Sequence, residues 1–207
     1  MKVRNDKVQP SKYSFRISMS VNIEYTNIPW LVLIHPQVFS DERGFFLESY
    51  SQREYTKHGL NAHFIQDNHS KSEKWVLRGM HFQKINPQAK LVRVIRWSVY
   101  DVVIDLRSDS PTYGKWEGFF LSWENKAQLF VPRGFAHGFL TLENETEFLY
   151  KCDNYYDSTD EGGVLWSDSQ LAIDWEKYLD AYNIKEVIVS KKDSILPNFR
   201  SICDQWS

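Results

Sequence analysis

The 207-residue sequence predicts an all-β fold, two antiparallel sheets packed as a jelly roll with a few short peripheral helices, and three observations carry that prediction. Aromatic residues make up 15% of the chain, with eight Trp and eleven Tyr, and such side chains suit a pleated, half-buried surface better than a helix. From Lys90 the sequence alternates: Leu91, Arg93, Ile95, Trp97 and Val99 interleave with Val92, Val94, Arg96 and Ser98 before an apolar run over 100–106. That is the period of a strand. Downstream, segments 116–123, 127–131, 136–142 and 146–152 are separated by turn signals. Strands recurring at roughly 8–12 residues indicate a sandwich or barrel.

Taken in order, residues 1–27 read as an N-terminal extension or arm without sustained periodicity, and residues 28–207 as one domain, the size a single core supports. Ile28 to Phe39 is the first strand-like run, interrupted by Pro36; the polar stretch Ser40-Asp-Glu-Arg-Gly44 is a turn. Residues 45–50 return to extended structure, and 51–59 (SQREYTKHG) form a short helix with Ser at its start and Gly after its end. FIQDNHSKS at 64–72 reads as a polar loop leading into the apolar run 75–83. After Tyr156 an acidic, Gly-containing loop (DSTDEGG) precedes a tail in which 184–189 is a further strand candidate.

Net charge is −2, from 25 basic and 27 acidic residues, so no global field draws the chain to nucleic acid or an anionic membrane. The N-terminus has no apolar run behind its positive charges, and no stretch of 18 apolar residues occurs. Two cysteines without CxxC spacing fit a reducing compartment. The expectation is a cytoplasmic protein with no membrane or nucleic-acid partner.

Pro132-Arg-Gly-Phe-Ala-His137 has the PxGxxH form of cupin jelly rolls, in which a Pro-Gly turn reverses the chain and the histidine points into the barrel. Metal-binding cupins pair this motif with two further histidines one residue apart. The corresponding place here reads His81-Phe-Gln83. First-row metals need three or four convergent ligands, so no metal is expected. His81 then reads either as a satisfied core histidine or as a proton acceptor, a role its ordinary titration range suits. Arg78, Lys90, Gln66 and Asn68 nearby in sequence are groups that hold phosphate or carbonyl oxygen, which favours the proton acceptor.

DERGFFLESY (41–50), FIQDNHSKS (64–72), VLRGMHFQ (76–83), AKLVRV (89–94), DVVIDLR (101–107), SPTYGKW (110–116), FVPRGFAHGFLTL (130–142) and EFLYK (147–151) occur in an order that resembles the dTDP-4-dehydrorhamnose 3,5-epimerase family. The resemblance spans about residues 28–197. It implies a cupin (double-stranded β-helix) jelly roll working without a cofactor, as a homodimer with an exchanged N-terminal strand. The implied substrate is a nucleotide-linked 4-keto-6-deoxyhexose.

By that resemblance His81 is the general base, Asp193 the carboxylate that orients it, Tyr150 the acid on the opposite face and Lys90 the cation that stabilises an enolate oxygen. Arg78 contacts the diphosphate, while Gln66, Asn68, Arg43, Phe46 and Glu48 hold the nucleotide, the last three from the partner subunit. His137 and Tyr156 line the sugar pocket. Taken singly, ordinary burial statistics favour Tyr150 as a core tyrosine, Asp193 as a surface or helix-cap acid and Lys90 as a solvated strand-end charge; the order of the motifs reverses this. Three features depart from the family pattern: Trp97 where a Gly is usual, the segment 84–89 (KINPQA), and a longer N-terminal extension. The competing readings are a single-site 3- or 5-epimerase, a sugar-nucleotide 3,4-ketoisomerase and a non-catalytic carbohydrate-binding cupin.

Overall fold

The computed structural model describes residues 20–206. Residues 1–19 of the expected arm lie outside the described residues, whereas β1 (Val21–Tyr25) pairs antiparallel with β2 (Val32–Pro36) of the same chain. Next comes a separate hairpin, β3 (Val38–Asp41) and β4 (Gly44–Leu47), which belongs to neither main sheet. Gly44 turns it at φ +125°, a conformation that side-chain-bearing residues rarely adopt. The helix expected at 51–59 is the short α1 (Gln52–Thr56), with Ser51 at its N-cap.

Among the described residues twelve strands form two sheets. Sheet one runs β1-β2-β10-β7-β12-β5, adding β5 (Gln66–Ser72), β7 (Lys90–Arg96), β10 (Gln128–Val131) and β12 (Thr146–Cys152). Sheet two runs β13-β6-β11-β8-β9, built from β6 (Val76–Gln83), β8 (Ser98–Asp105), β9 (Trp116–Ser122), β11 (Phe135–Thr141) and β13 (Glu161–Gly163), with β14 (Ile188–Val189) parallel to β6. The two sheets close on each other as a cupin-type jelly roll. Two short helices, α2 (Glu176–Ala181) and α3 (Phe199–Trp206), follow in the tail. Among the described residues no helix is long and apolar enough to cross a membrane.

Val92, Val94, Val103, Leu129, Phe139 and Phe148 fill the space between the sheets. Each sheet also has a covered outer face: Val32, Ile34, Leu91 and Phe130 lie beneath Tyr55 of α1, and Tyr100, Val102, Ile104 and Leu140 beneath the tail residues Trp175, Ile184 and Phe199. Because both faces of β8 are packed, all eight of its residues are buried, and its sequence reads as an apolar run instead of an alternation. Trp97, between β7 and β8, has φ +66°, a backbone conformation that favours glycine.

Two segments differ from expectation. Residues 66–72 form β5, an edge strand, where the polar composition predicted a loop, and 161–163 form β13 inside the predicted acidic loop. β5 looks like a loop in sequence because its inward residues Gln66, Asn68 and Ser70 face a cavity and its outward ones face water. Neither set needs to be apolar.

Candidate active site

Strand register builds the site from sheet one. On its inner face, Gln66, Cys152 and Lys90 are cross-strand neighbours in one row, Asn68, Tyr150 and Val92 in the next, and Ser70, Phe148 and Val94 in the third. The even-numbered positions of β5, β7 and β12 therefore pass from polar at the open end to apolar inside. On sheet two, His81 of β6 pairs with His137 of β11 and with Gly163 of β13. His81, Lys90 and Tyr150 line both of two adjoining cavities between the sheets, about 510 and 380 Å³ in volume.

The β6–β11 pairing requires glycine. Gly79 has φ +124°, and a Cβ there would stand 2.6 Å from the Gly138 Cα and 2.8 Å from the His137 carbonyl oxygen. The two backbones approach closely just before His81 and just after His137, where the register of β11 on β6 shifts.

Asp193 arrives from a 3-10 turn, Asp193–Ile195, in the C-terminal tail. Its Oδ1 lies 2.8 Å from His81 Nε2, its Oδ2 accepts the Gly79 N–H at 3.3 Å, and its own N–H is held by Ser190 Oγ at 3.0 Å. Burial disfavours its charge, yet the hydrogen bond and attraction from His81 and the Gly79 N–H outweigh that penalty and hold the carboxyl below its ordinary range. A carboxylate only accepts hydrogen bonds, so Nε2 carries the proton and Nδ1 is left as the basic nitrogen.

Lys90 sits in the cavity with its ammonium depressed below the usual lysine range by desolvation, against the opposing pull of Cys152, Asp101 and Glu161. Desolvation raises the Tyr150 phenol, as do Cys152 and Glu161, against Arg78, so the hydroxyl stays protonated and able to donate. Lys90 Nζ is 6.0 Å from the Tyr150 ring centre. His137 is buried, its Nε2 2.9 and 3.0 Å from the two oxygens of Asp101. Arg78 donates Nε to Ser72 Oγ at 3.1 Å and pairs with no carboxylate among the described residues. Gln66 Nε2 donates to Asn68 Oδ1 at 3.0 Å, and Tyr156 lines the smaller cavity.

Nine of the residues singled out in the sequence thus surround one space: His81, Asp193, Lys90, Tyr150, Arg78, Gln66, Asn68, His137 and Tyr156. Arg43 and Phe46 do not join them. They line a separate groove on the β3–β4 hairpin, where Arg43 is paired with Asp41, and Glu48 follows that hairpin. Phe45 and Phe46 are exposed there.

Glu161 was not singled out. Its Oε1 is 3.9 Å from His81 Nε2, and its Oε2 accepts from the Tyr156 hydroxyl at 2.6 Å and from Lys192. Burial opposes its ionisation, but Lys192, Tyr156 and His81 together hold the carboxyl below its ordinary value. The Glu161 hydrogen bond pushes the Tyr156 phenol up to about 12. Its place on β13 reveals it, opposite Gln83 and two residues before Gly163, which pairs with His81; in sequence it is one of several acids in a loop-like stretch. Among the described residues no three His, Cys, Asp or Glu side chains converge to hold a metal ion.

Comparison with known proteins shows what the sequence and the fold are similar to. The model of the dTDP-4-dehydrorhamnose 3,5-epimerase family matches residues 25–201. The dTDP-4-dehydrorhamnose 3,5-epimerase of Salmonella typhimurium is 53% identical over 152 residues, covering 72% of this chain and 83% of the relative. The crystal structure of the Bacillus anthracis enzyme of the same name, with TDP and PPi bound, aligns at TM-score 0.82 and 44% identity over 87% of this chain and all of the other. A Legionella pneumophila dTDP-6-deoxy-D-glucose-3,5-epimerase in complex with dTDP-4-keto-L-rhamnose aligns at TM-score 0.84 and 42% identity, over 89% and 96% of the two chains. Fold and relatives together define an isomerase of the cupin class, an epimerase. The chain belongs to the dTDP-4-dehydrorhamnose 3,5-epimerase family.

Proposed function

We propose that this epimerase inverts C3 and C5 of a nucleotide-linked 4-keto-6-deoxyhexose, converting dTDP-4-dehydro-6-deoxyglucose to dTDP-4-dehydrorhamnose in the cytoplasm. The observation that carries the reading is the placement of His81 and Tyr150 on opposite sheets of one cavity with Lys90 beside it.

A proton on carbon next to a ketone is acidic once the adjacent oxygen is stabilised, so this inversion needs a base, a cation and a second proton donor, and no cofactor. His81 Nδ1 takes the proton, the C–H electrons move into a C–C double bond, and the carbonyl electrons settle on oxygen as an enolate. Lys90 faces that oxygen in a desolvated site where its charge has most effect. Tyr150 then delivers its hydroxyl proton to the opposite face of the carbon, and solvent restores both side chains. Asp193 holds the His81 ring and stabilises its cationic form. Arg78, free of carboxylate partners among the described residues, holds the diphosphate, and Gln66, Asn68, His137 and Tyr156 surround the nucleotide and sugar.

The working unit in this reading is a homodimer in which the exchanged N-terminal element is the β3–β4 hairpin, since β1 pairs with β2 of its own chain; the hairpin of one subunit brings Arg43, Phe46 and Glu48 to the other's cavity. The exposure of Phe45 and Phe46 on a hairpin outside both sheets supports it.

Incubation with dTDP-4-dehydro-6-deoxyglucose in deuterated buffer tests the function. Deuterium is expected at C3 and C5 of the product. A folded protein that incorporates none overturns the epimerase reaction on this substrate, and label at C3 alone reduces it to a single-site epimerase. His81→Ala is expected to abolish exchange, while Tyr150→Phe leaves exchange and impairs inversion.

A further inference from the structure

Residues 154–157, between β12 and β13, form no strand pairing, and three glutamine side chains hold their backbone instead. Gln88 Nε2 donates to the Asn154 carbonyl at 2.9 Å, Gln83 Nε2 donates to the Tyr155 carbonyl at 3.3 Å, Gln66 Oε1 accepts the Tyr156 N–H at 3.0 Å and Gln83 Oε1 accepts the Asp157 N–H at 2.7 Å. All three glutamines line the smaller cavity, as does Tyr156.

Gln83 is the centre of this arrangement. It lies two residues beyond His81 on β6, hence on the same inward face, and it is only 7% exposed. Its second Nε2 hydrogen goes to the Asn86 carbonyl at 2.7 Å, so both donors are used within the protein. A cavity-facing amide with no donor to spare is poorly suited to grip a ligand directly. It joins three pieces of chain: β6, the 84–89 connection and the 154–157 loop. The loop in turn presents Tyr156, whose hydroxyl donates to Glu161 beside His81.

We propose that Gln83, assisted by Gln88, is a positioning residue for substrate binding: it fixes the 154–157 backbone and thereby sets where Tyr156 closes the cavity. The 84–89 segment, which departs from the family pattern in sequence, then influences substrate fit through Gln88 and Asn86 without touching the reacting carbons.

Amide hydrogen exchange on the ligand-free protein tests the clamp independently of turnover. Gln83→Met is expected to raise the exchange rate of the Asp157 amide about 10-fold, the effect of losing one buried hydrogen bond, and Gln88→Met to loosen the loop in the same direction by less. Gln83→Glu keeps the acceptor but sets a carboxylate against the Asn86 and Tyr155 carbonyls, so it is expected to loosen the loop at least as much. Unchanged Asp157 protection in a folded Gln83→Met protein overturns the proposal.

The kinetic arm rests on the proposed function. With dTDP-4-dehydro-6-deoxyglucose, Gln83→Met is expected to raise KM about 10-fold more than it lowers kcat, and Gln83→Met/Tyr156→Ala to be no worse than Tyr156→Ala alone. Additive losses, or a loss confined to kcat, overturn action through Tyr156. A wild-type protein that does not turn over this substrate overturns the functional reading and leaves the exchange measurement to judge the clamp.

Discussion

His81 Nε2 and Asp193 Oδ1 stand 2.8 Å apart although 112 positions separate the two residues in the chain. One is on a central strand and the other on a turn reached only after the chain has built both sheets and α2. The pair fixes which imidazole nitrogen is basic. Asp193→Asn offers Nε2 an amide that either donates or accepts, so the ring loses its preferred tautomer and the counter-charge to its cationic form. Deuterium incorporation is expected to fall about 100-fold, within the range of general-base contributions, with a smaller change in KM.

The same pair affects acid stability. The folded Asp193 carboxyl titrates below its unfolded value near 3.9. Its ionised form therefore stabilises the fold above that pH, and the contribution is lost as pH falls through the depressed folded value. Denaturant titrations should show a stability gap between wild type and Asp193→Asn at pH 5 that narrows below pH ~4. A gap that persists undiminished at low pH would show that the interaction is not between charges.

In the proposed reaction Lys90 trades stability for function. Desolvation lowers its folded pKa below the unfolded value near 10.4, so the unfolded chain binds more protons between the two values and stability rises with pH across that window. Below it, the buried ammonium is a standing cost. Lys90→Met should raise the stability of the fold at pH 7 by about 0.5–2 kcal/mol while removing activity. In the wild type, kcat should decline on the alkaline side before pH ~10.4, because the enolate loses its cation as Lys90 deprotonates. A Lys90→Met protein less stable than wild type at pH 7 would contradict the assigned desolvation.

The exposed hairpin makes the dimer testable without a structure of it. Arg43→Ala and His81→Ala proteins are each expected to be nearly inactive alone. If the hairpin serves the partner's cavity, a heterodimer has one site with an intact His81 that receives Arg43 from the other subunit. Mixing under conditions that exchange subunits should restore activity. Heterodimers detected by mass without recovered activity would place Arg43 with the site of its own chain.

Gly79 sits where no other residue fits. Gly79→Ala adds a Cβ 2.6 Å from the Gly138 Cα at a backbone angle of φ +124°. Denaturant unfolding should show a loss of at least about 1–3 kcal/mol, and activity at permissive temperature should fall as well, because His81 is two residues away.

Local chemistry in the sequence was enough to specify the alternation of β7, the turn at Gly44, the PxGxxH reversal before His137 and the short helix after Ser51. In each case the cause is local: side chains alternate across a strand, and glycine tolerates positive φ. The residues of the site were nameable chiefly through the ordered motifs that resemble the family, because a lone Tyr150, Lys90 or Asp193 reads as an ordinary core, strand-end or surface residue. Their assembly was not. β5 was hidden because a strand facing a polar cavity and water lacks the apolar face by which strands are recognised, and Glu161 was hidden because three residues of β13 are too few to show a period. The 2.8 Å contact of Asp193 with His81 and the three glutamines around Tyr156 exist only once distant segments meet, and no spacing along the chain encodes a distance between strands.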